Sequence, residues 1–426
     1  MDARVRNERI GIPLEEAPFR SLHVGGGWLA SVAVLLVIVG WGAYNLIFQQ
    51  WAKGLEVTGL NVSIYWGLYI VNFVFLIGVS AGGIIVGALA YAAGIERFRP
   101  VARIAELMAI SCLILATLFI FVSIGAPDRF YFLFLYWRLG SPLIWDVLIV
   151  LAYLALALVL GYFGTRADLV RCMEAMPKRR WLYRILALGY TDLSPRAIER
   201  DRRILKILAI VSIPAAVLLH SITAWILGVV KARVTWHTSL LGPLFVVSAV
   251  VSGLGLVIVS AIVGRASLGL RIRRETIVGL GRLLAFSIPV LGYFLFAELL
   301  TVTFGKEPAK MHVFGEMIWG HFAPYFWANL ILGLVIPLLI LVSPLRKTVT
   351  GVGIASALVV FGVFLERLNV VILPQLHRLL FPFYPHGSYT PTVVELSIVG
   401  GIYALGALFF ALCAKLFPLV EVEEPR

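Results

Sequence analysis

The chain has 426 residues, of which 61% are hydrophobic and only 14% are charged. This leaves too little polar surface to coat a soluble globule of that length, so the composition excludes an ordinary soluble domain and indicates a polytopic membrane protein. The formal net charge of +13 would suggest nucleic acid as a partner of a soluble protein. Here the basic residues cluster in short loops between apolar runs, which indicates membrane topology and membrane lipid, and no nucleic acid.

A window of about 19 residues moved along the chain reveals the apolar runs, since about 20 residues cross the hydrocarbon core. It predicts an all-α membrane protein of about ten spans, at 28–48, 64–93, 101–124, 142–164, 204–230, 240–263, 277–304, 324–342, 349–371 and 392–417. Residues 1–27 are basic, and no small-residue cleavage signature follows them. We therefore expect an uncleaved first span after a cytoplasmic N-terminal segment.

Lysine and arginine predict the orientation. The two termini and the loops 95–103, 165–206, 264–282 and 343–348 hold about 27 of the 36 basic residues. By the positive-inside rule both termini are expected in the cytoplasm. The loop 165–206 also shows apolar residues at helical spacing, which is typical of a segment lying at the membrane interface; a docking patch for a cytoplasmic partner is the alternative.

An internal repeat is suggested by two pairs of similar strings. Ser80-Ala81-Gly82-Gly83 in the second span resembles Ser252-Gly253-Leu254-Gly255 in the sixth, and 141–145 at the head of the fourth resembles 323–327 at the head of the eighth. Chance similarity between apolar helices is the alternative. The repeat predicts two four-helix bundles with two peripheral helices, divided as a first span at 28–60, bundles at 61–230 and 231–372, and an outer loop, last span and tail at 373–426.

Ionisable side chains inside hydrocarbon are costly, so each one is a functional candidate. They concentrate toward the predicted outer side. Asp146 has no sequence-local cation, so it must find a distant partner, hold a proton or line a wet pocket. Other residues also have structural interpretations that involve no function. Glu366 and Arg367 could snorkel to the interface, Arg129 could pair with Asp128, and His220 could serve helix packing.

Cysteine and histidine counts address redox metals. Cys112, Cys172 and Cys413 are far apart and form no CxxC motif, so neither an iron–sulphur cluster nor a c-type haem is expected. A bis-histidine haem b needs two histidines at matching depth, and His220 alone of the seven lies clearly inside a predicted span. We expect no haem and no other metal in this chain. Acids and histidines at one membrane face suit proton exchange with a quinol whose electrons go to a partner.

Six strings of the sequence resemble the NrfD family. This family comprises the quinone-reactive membrane subunits of polysulphide-reductase-type (PsrC-like) enzymes, and it includes the ten-span HybB subunit and the ActC and ActF subunits of alternative complex III. They are YWGLYIVNFVFLIGVSAGG (65–83), GAPDRF (125–130), SPLIWDV (141–147), LLHSITAW (218–225), VTWHTSLLGPLFVVSAVVSG (234–253) and YTPTVVELSIVGG (389–401). The WHT segment and SPLIWD are the most specific of these. The resemblance runs from about residue 61 to the C-terminus.

The resemblance implies a pair of haem-free four-helix bundles in the inner (cytoplasmic) membrane of a prokaryote. It implies a ferredoxin-like iron–sulphur partner on the outer face, serving a molybdopterin-type or other catalytic subunit. The site residues that follow from it are Asp146 and His237 as the catalytic pair, with Asn72, Ser80, Arg129 and His220 completing the quinone pocket. A proton route would use Glu106, Glu298 and Glu366.

The function predicted from these observations is oxidation of menaquinol or ubiquinol, or reduction of the quinone, by a subunit that is not catalytic alone. Proton translocation driven by a neighbouring redox event is a second form of this hypothesis. A secondary transporter is an alternative from another class, although it would be expected to have broken helices and polar groups near the midplane. A purely structural membrane anchor is a further alternative, and it leaves Asp146 unexplained.

Overall fold

The computed structural model describes residues 25–270, 272–376, 389–417 and 419. Most of the predicted N-terminal segment 1–27, the greater part of the loop after the ninth span, and the tail beyond the tenth span lie outside these residues. Statements about the fold below refer to the described part of the chain.

The prediction of ten membrane-spanning helices is confirmed among the described residues. In chain order they are α1 Gly26–Trp51, α2 Leu68–Ala92, α3 Glu96–Ser123, α4 Pro142–Ala175, α5 Pro195–Gly228, α6 Leu241–Ser267, α7 Arg274–Gly305, α8 Ala323–Val342, α9 Val349–Gln375 and α10 Val393–Leu416. Three short helices, Phe132–Leu135, Arg180–Leu186 and Pro308–Ile318, lie in the connections.

The main difference from the predicted spans lies in the basic segment 165–206. There α4 continues to Ala175 and α5 begins at Pro195, so both helices extend well past the predicted span ends. The guanidinium of Arg166 forms a buried ion pair with Asp201, and its Nε lies 2.9 Å from Asp201 Oδ2. This pair joins the two extensions, which explains why residues too polar for the hydropathy window still form helix.

The helices form two bundles. In the first, α2, α3, α4 and α5 pack in a ring, and in the second α6, α7, α8 and α9 do the same. Helix α1 packs on α10, and α10 packs on α3 at the edge of the first bundle. The face that carries the α2–α3, α4–α5, α6–α7 and α8–α9 connections is called the basic face below, and the opposite face is called the distal face.

The two bundles meet where α2 crosses α6. A Cβ on Gly82 would overlap the carbonyl group of Gly253, and a Cβ on Gly253 would overlap the backbone of Gly82. The two small-residue strings that suggested the repeat therefore pack against each other. Small residues allow such backbone contact, which replaces the hydrophobic driving force that lipid does not provide between helices.

Peripheral helix α1 is attached in the same way. A Cβ on Gly42 would lie 2.7 Å from Gly401 Cα of α10. Most of the apolar surface of α1 is exposed, whereas α2 is buried along most of its length. Helix α2 is therefore the central element of the fold, and α1 is a peripheral helix with most of its surface exposed.

Replacing Gly82 with leucine is expected to destabilise the contact between the bundles. The obstacle is backbone, which cannot rotate away as a flexible side chain can, so we expect a loss of about 3 kcal/mol, the upper end of the cost of overpacking. The measurement is thermal or denaturant unfolding of the purified protein in detergent. Gly400→Leu on α10 is the matched control, because nothing lies within 4 Å of its Cβ position; equal losses in both variants would contradict the prediction.

Candidate functional site

Two cavities lie in the distal half of the molecule, one in each bundle. The first cavity has a volume of about 610 Å³ and the second about 310 Å³. Both volumes fall within the range of ligand-binding clefts, about 300–1,000 Å³. The walls of both are mainly apolar, with a few polar side chains.

Asp146 is the buried acid of the first cavity. It lies about one turn into α4, which begins at Pro142, a residue suited to the first helical position because its missing N–H would have no partner there. Its side chain is only 1% exposed, yet it lines the cavity. The hydroxyl of Thr223 on α5 donates to Asp146 Oδ1 at 2.7 Å.

The mouth of the first cavity combines aromatic and basic side chains. Tyr136, Trp137 and Leu143 line it and are also exposed on the outside of the bundle. Arg129 lines it too, with a side chain that is 72% exposed and an Nε atom 3.8 Å from Asp128 Oδ2. The opening therefore lets an apolar molecule enter from the side of the bundle, and the guanidinium of Arg129 lies near this opening.

His237 does not share this cavity. Its ring is exposed on the distal face, with Nδ1 2.8 Å from the carbonyl oxygen of Gly228. Its chain neighbours Trp236 and Thr238 line the second cavity. The structure thus places the two residues of the predicted catalytic pair at different sites.

Three further predicted pocket residues, Asn72, Ser80 and His220, lie in helix contacts outside the lining of the first cavity. Asn72 donates to the Leu68 carbonyl at 2.7 Å and accepts from the Tyr403 hydroxyl at 2.7 Å, which links α2 to α10. Ser80 donates to the carbonyl of Ile77 at 2.6 Å. These contacts are typical of buried polar groups that stabilise helix packing.

His220 joins α5 to α2. Its Nδ1 lies 2.6 Å from the Ala216 carbonyl oxygen and its Nε2 lies 3.2 Å from that of Ile77. Both ring nitrogens therefore face backbone oxygens, which fits the helix-packing interpretation of this residue. Among the described residues, no cluster of three or more histidine, cysteine, aspartate or glutamate side chains could hold a metal ion.

The three residues of the predicted proton route are divided between the two halves of the molecule. Glu298 and Glu366 line the second cavity, where the Thr238 hydroxyl donates to Glu298 Oε2 at 3.0 Å. Glu106 is buried toward the basic face on α3, beside Arg103 and Tyr91. The structure does not bring Glu106 together with the other two acids.

The second cavity contains polar residues that the sequence reasoning missed. Asn329 on α8 and Asn369 on α9 line it together with Glu366. Glu366, Asn369 and Leu373 follow the i, i+3, i+7 spacing of one helix face, so the pattern ExxNxxxL could have revealed this surface. Thr223 was also missed, and no local signal reveals it, because its partner Asp146 is 77 residues away.

A stacked pair of indoles stands between the cavities. Trp66 lines the first and Trp236 lines the second, with ring centroids 5.4 Å apart and an interplanar angle of 29°. The Trp236 Nε1 donates to the Val370 carbonyl at 2.6 Å. Each tryptophan precedes the first helix of its bundle, so the pair repeats at the distal end the α2–α6 contact made deeper in the membrane.

Arg367 on α9 lies at the contact between the two bundles, farther from the distal face than this indole pair. Its guanidinium lies 3.3 Å from Glu366 Oε1, contacts the Ser248 hydroxyl and stacks on Phe245, 4.1 Å from the ring centroid. It is 1% exposed, so the snorkelling interpretation is wrong for Arg367, and also for Glu366 at 3%. The neighbouring carboxylate and hydroxyl compensate the buried charge.

Sequence comparison assigns a family to this architecture. The family model described as polysulphide reductase, NrfD, matches residues 56–377, which include both cavities.

Three relatives match over nearly their whole length. A Halobacterium salinarum protein, provisionally named as a dimethyl sulfoxide reductase membrane subunit, is 33% identical over 93% of this chain and 92% of its own. A selenate reductase subunit of Mesobacillus selenatarsenatis is 27% identical over 89% and 91%. The Hdr-like menaquinol oxidoreductase integral membrane subunit of Archaeoglobus fulgidus is 28% identical over 93% and 95%.

The contact between Asn72 and Tyr403 gives a test of the structural role of Asn72. Asn72→Leu and Tyr403→Phe should each lower the free energy of unfolding. The double variant should lose less than the sum of the two single losses, because both substitutions remove the same hydrogen bond. We expect a coupling energy of about 1 kcal/mol, as for other hydrogen bonds between membrane helices. Unfolding of the four proteins in mixed detergent measures it. Strictly additive losses would show that the two side chains do not interact.

Proposed function

This chain belongs to the polysulphide reductase NrfD family, and on that premise we propose that it is the quinone-reactive membrane subunit of an oxidoreductase complex. In this proposal it oxidises a quinol, or reduces the quinone, in the first cavity. Menaquinol is the favoured substrate, because the Archaeoglobus fulgidus relative is named as part of a menaquinol oxidoreductase. Partner subunits supply the remaining chemistry.

The observation that carries the proposal is the buried carboxyl of Asp146 in a cavity with apolar walls. Burying a carboxyl group in the hydrocarbon region costs free energy, so such a group is a candidate functional residue. Its Oδ1 accepts a hydrogen bond from Thr223, which fixes the rotamer of the carboxyl relative to the cavity. A general base must be held within hydrogen-bond reach of the proton that it accepts, and this arrangement provides such a group.

The chemistry follows from the balance of protons and electrons. A quinol that loses both electrons to an acceptor must also lose its two hydroxyl protons. Asp146 accepts one proton from the hydroxyl that faces it, and Arg129 at the mouth offers a positive charge near the developing oxyanion. The two electrons go to the acceptor in the partner subunit, the second hydroxyl proton goes to water at the opening of the cavity, and Asp146 then releases its own proton toward the distal face.

The shape of the first cavity suits this ligand. Trp66, Phe73 and Phe130 provide flat aromatic wall, and the exposed Leu143 and Trp137 mark an opening on the outside of the bundle. An isoprenoid tail would lie in lipid at this opening while the ring reaches Asp146. Ligand-binding pockets typically have mainly apolar walls with a few polar groups.

Orientation and partners extend the proposal. In this proposal the basic face lies in the cytoplasm of a prokaryotic cell, as the positive-inside rule predicts, and both cavities then lie near the outer side. An iron–sulphur subunit on the distal face, with a molybdopterin-type or other catalytic subunit beyond it, would receive the electrons. Exit of protons on the distal side requires no channel through the membrane, so Glu106 is not needed for it.

The transporter alternative finds less support. Each of the ten described spans is one continuous helix, with π-helical turns in α1, α2 and α8. Secondary transporters of the repeat type typically place broken helices at the midplane. The anchor alternative provides no role for Asp146.

Asp146→Asn tests the base directly. The amide keeps the volume and a hydrogen bond to Thr223 but accepts no proton, so quinol-dependent turnover of the purified complex should fall by about 10²- to 10⁴-fold. Asp192→Asn on the basic face is the control, because this carboxyl is exposed and lines neither cavity. The complex should assemble with unchanged stoichiometry in both variants; full turnover in Asp146→Asn would remove Asp146 from the reaction.

The partner assignment is tested by purifying the complex through a tag on this chain. We expect an iron–sulphur protein to co-purify and to give a paramagnetic resonance signal when the complex is reduced with quinol. The cluster signal should develop more slowly in Asp146→Asn at the same stoichiometry of the complex. A complex that contains no redox partner would contradict the proposed function.

A further inference from the structure

The second cavity contains buried polar atoms that lack partners. Among the described residues, Asn329 Oδ1, Glu366 Oε2 and both amide atoms of Asn369 have no hydrogen-bond partner. These side chains are 5%, 3% and 6% exposed, and all three line the cavity. Leaving a buried polar group unsatisfied costs about 1–3 kcal/mol, so this cluster indicates a bound molecule that supplies the missing bonds.

The cluster occupies the place in the second bundle that the Asp146 site occupies in the first. Ser141-Pro142 at the head of α4 resembles Ala323-Pro324 at the head of α8, and in this register Asp146 corresponds to Ala328, next to Asn329. On the following helix of each bundle, polar residues recur at i and i+3, as His220 and Thr223 on α5 and as Glu366 and Asn369 on α9. The repeated fold thus carries a second polar-lined cavity.

The remaining lining sets the chemistry of the occupant. Most of it is apolar, from Leu241 and Leu244 on α6 to Phe314 and Met317 in the short helix Pro308–Ile318. Phe296 on α7 lines the cavity and is 60% exposed on the outer surface of the bundle. The occupant is therefore lipid-soluble and enters from the side.

The polar cluster offers both donors and acceptors. The amide of Asn369 can donate to a carbonyl oxygen and accept from a hydroxyl, and the free oxygens of Glu366 and Asn329 accept from hydroxyl groups. An acyl chain offers none of these partners. A ring whose two oxygens are carbonyls in the oxidised form and hydroxyls in the reduced form offers all of these partners. A cavity volume of about 310 Å³ accommodates such a ring.

We propose that the second cavity is a second quinone-class binding site, with Asn369, Glu366 and Asn329 as the residues that bind the ring oxygens. The site shares its ligand class with the function proposed for the first cavity, but it does not depend on Asp146. The indole pair Trp66–Trp236 forms the wall between the two sites.

Photolabelling of the purified complex with an azido-naphthoquinone, followed by mass spectrometry of the labelled peptides, tests the proposal. Label is expected on peptides of the first cavity and, separately, on those of α7, α9 or residues 308–318. Asn369→Leu removes an unpaired amide at nearly constant volume, so it should not unfold the protein, and it should lower labelling of the second cavity by about tenfold, the equivalent of one lost hydrogen bond. Labelling of the first cavity should not change.

Two further variants complete the experiment. Leu244→Trp fills the second cavity without altering its polar groups and should also abolish its label. Asn45→Leu on α1 is the matched control, because Asn45 is a buried span asparagine that lines neither cavity; it should leave both labels intact.

The outcomes separate the two proposals. Label confined to the first cavity, as expected if water alone occupies the second, overturns this inference and leaves the proposed function standing. Label in the second cavity that persists in Asn369→Leu and Leu244→Trp also overturns it. Label confined to the second cavity and lost in these variants supports this inference while contradicting the function proposed for Asp146.

Discussion

The backbone contact between Gly82 and Gly253 is the constraint on which the rest of the structure depends. Lipid provides no hydrophobic drive for helices to associate, so close packing has to supply the free energy. With no side chain at either position, α2 and α6 approach closely and the two bundles share one long interface. The same approach brings Trp66 and Trp236 into a stack at the distal end, and the cavities lie on either side of it.

The role of each buried polar group discussed here depends on the group that it faces. Asn72 and His220 meet hydroxyl or carbonyl groups of neighbouring helices and stabilise packing. Arg166 meets Asp201 where the helices extend past the hydrocarbon. Asp146 and Glu366 instead lie beside cavities, where a ligand or water can reach them.

The two bundles share an architecture but differ in where they place acid. The first presents Asp146 from α4, whereas the second has Ala328 at the corresponding position and presents Glu366 from α9 and Glu298 from α7. Glu366 is also held next to the buried cation Arg367, which compensates part of its charge. Asp146, which has no ion-pair partner, suits proton exchange, and Glu366, which has one, suits binding; these are the roles proposed for the two residues.

The sequence by itself determined the ten spans, the similarity of the two small-residue strings and the candidate status of Asp146, because apolar length, small residues and an isolated charge are local properties. It did not predict the helical extensions of α4 and α5 beyond the apolar spans, because the ion pair that joins them links residues 35 positions apart in the chain. Only the tertiary structure separated His237 from Asp146, gave Asn72 a partner on α10, and gathered Asn329, Glu366 and Asn369 around one cavity. Those relations join helices that are distant in the chain, and no spacing along a single helix encodes them.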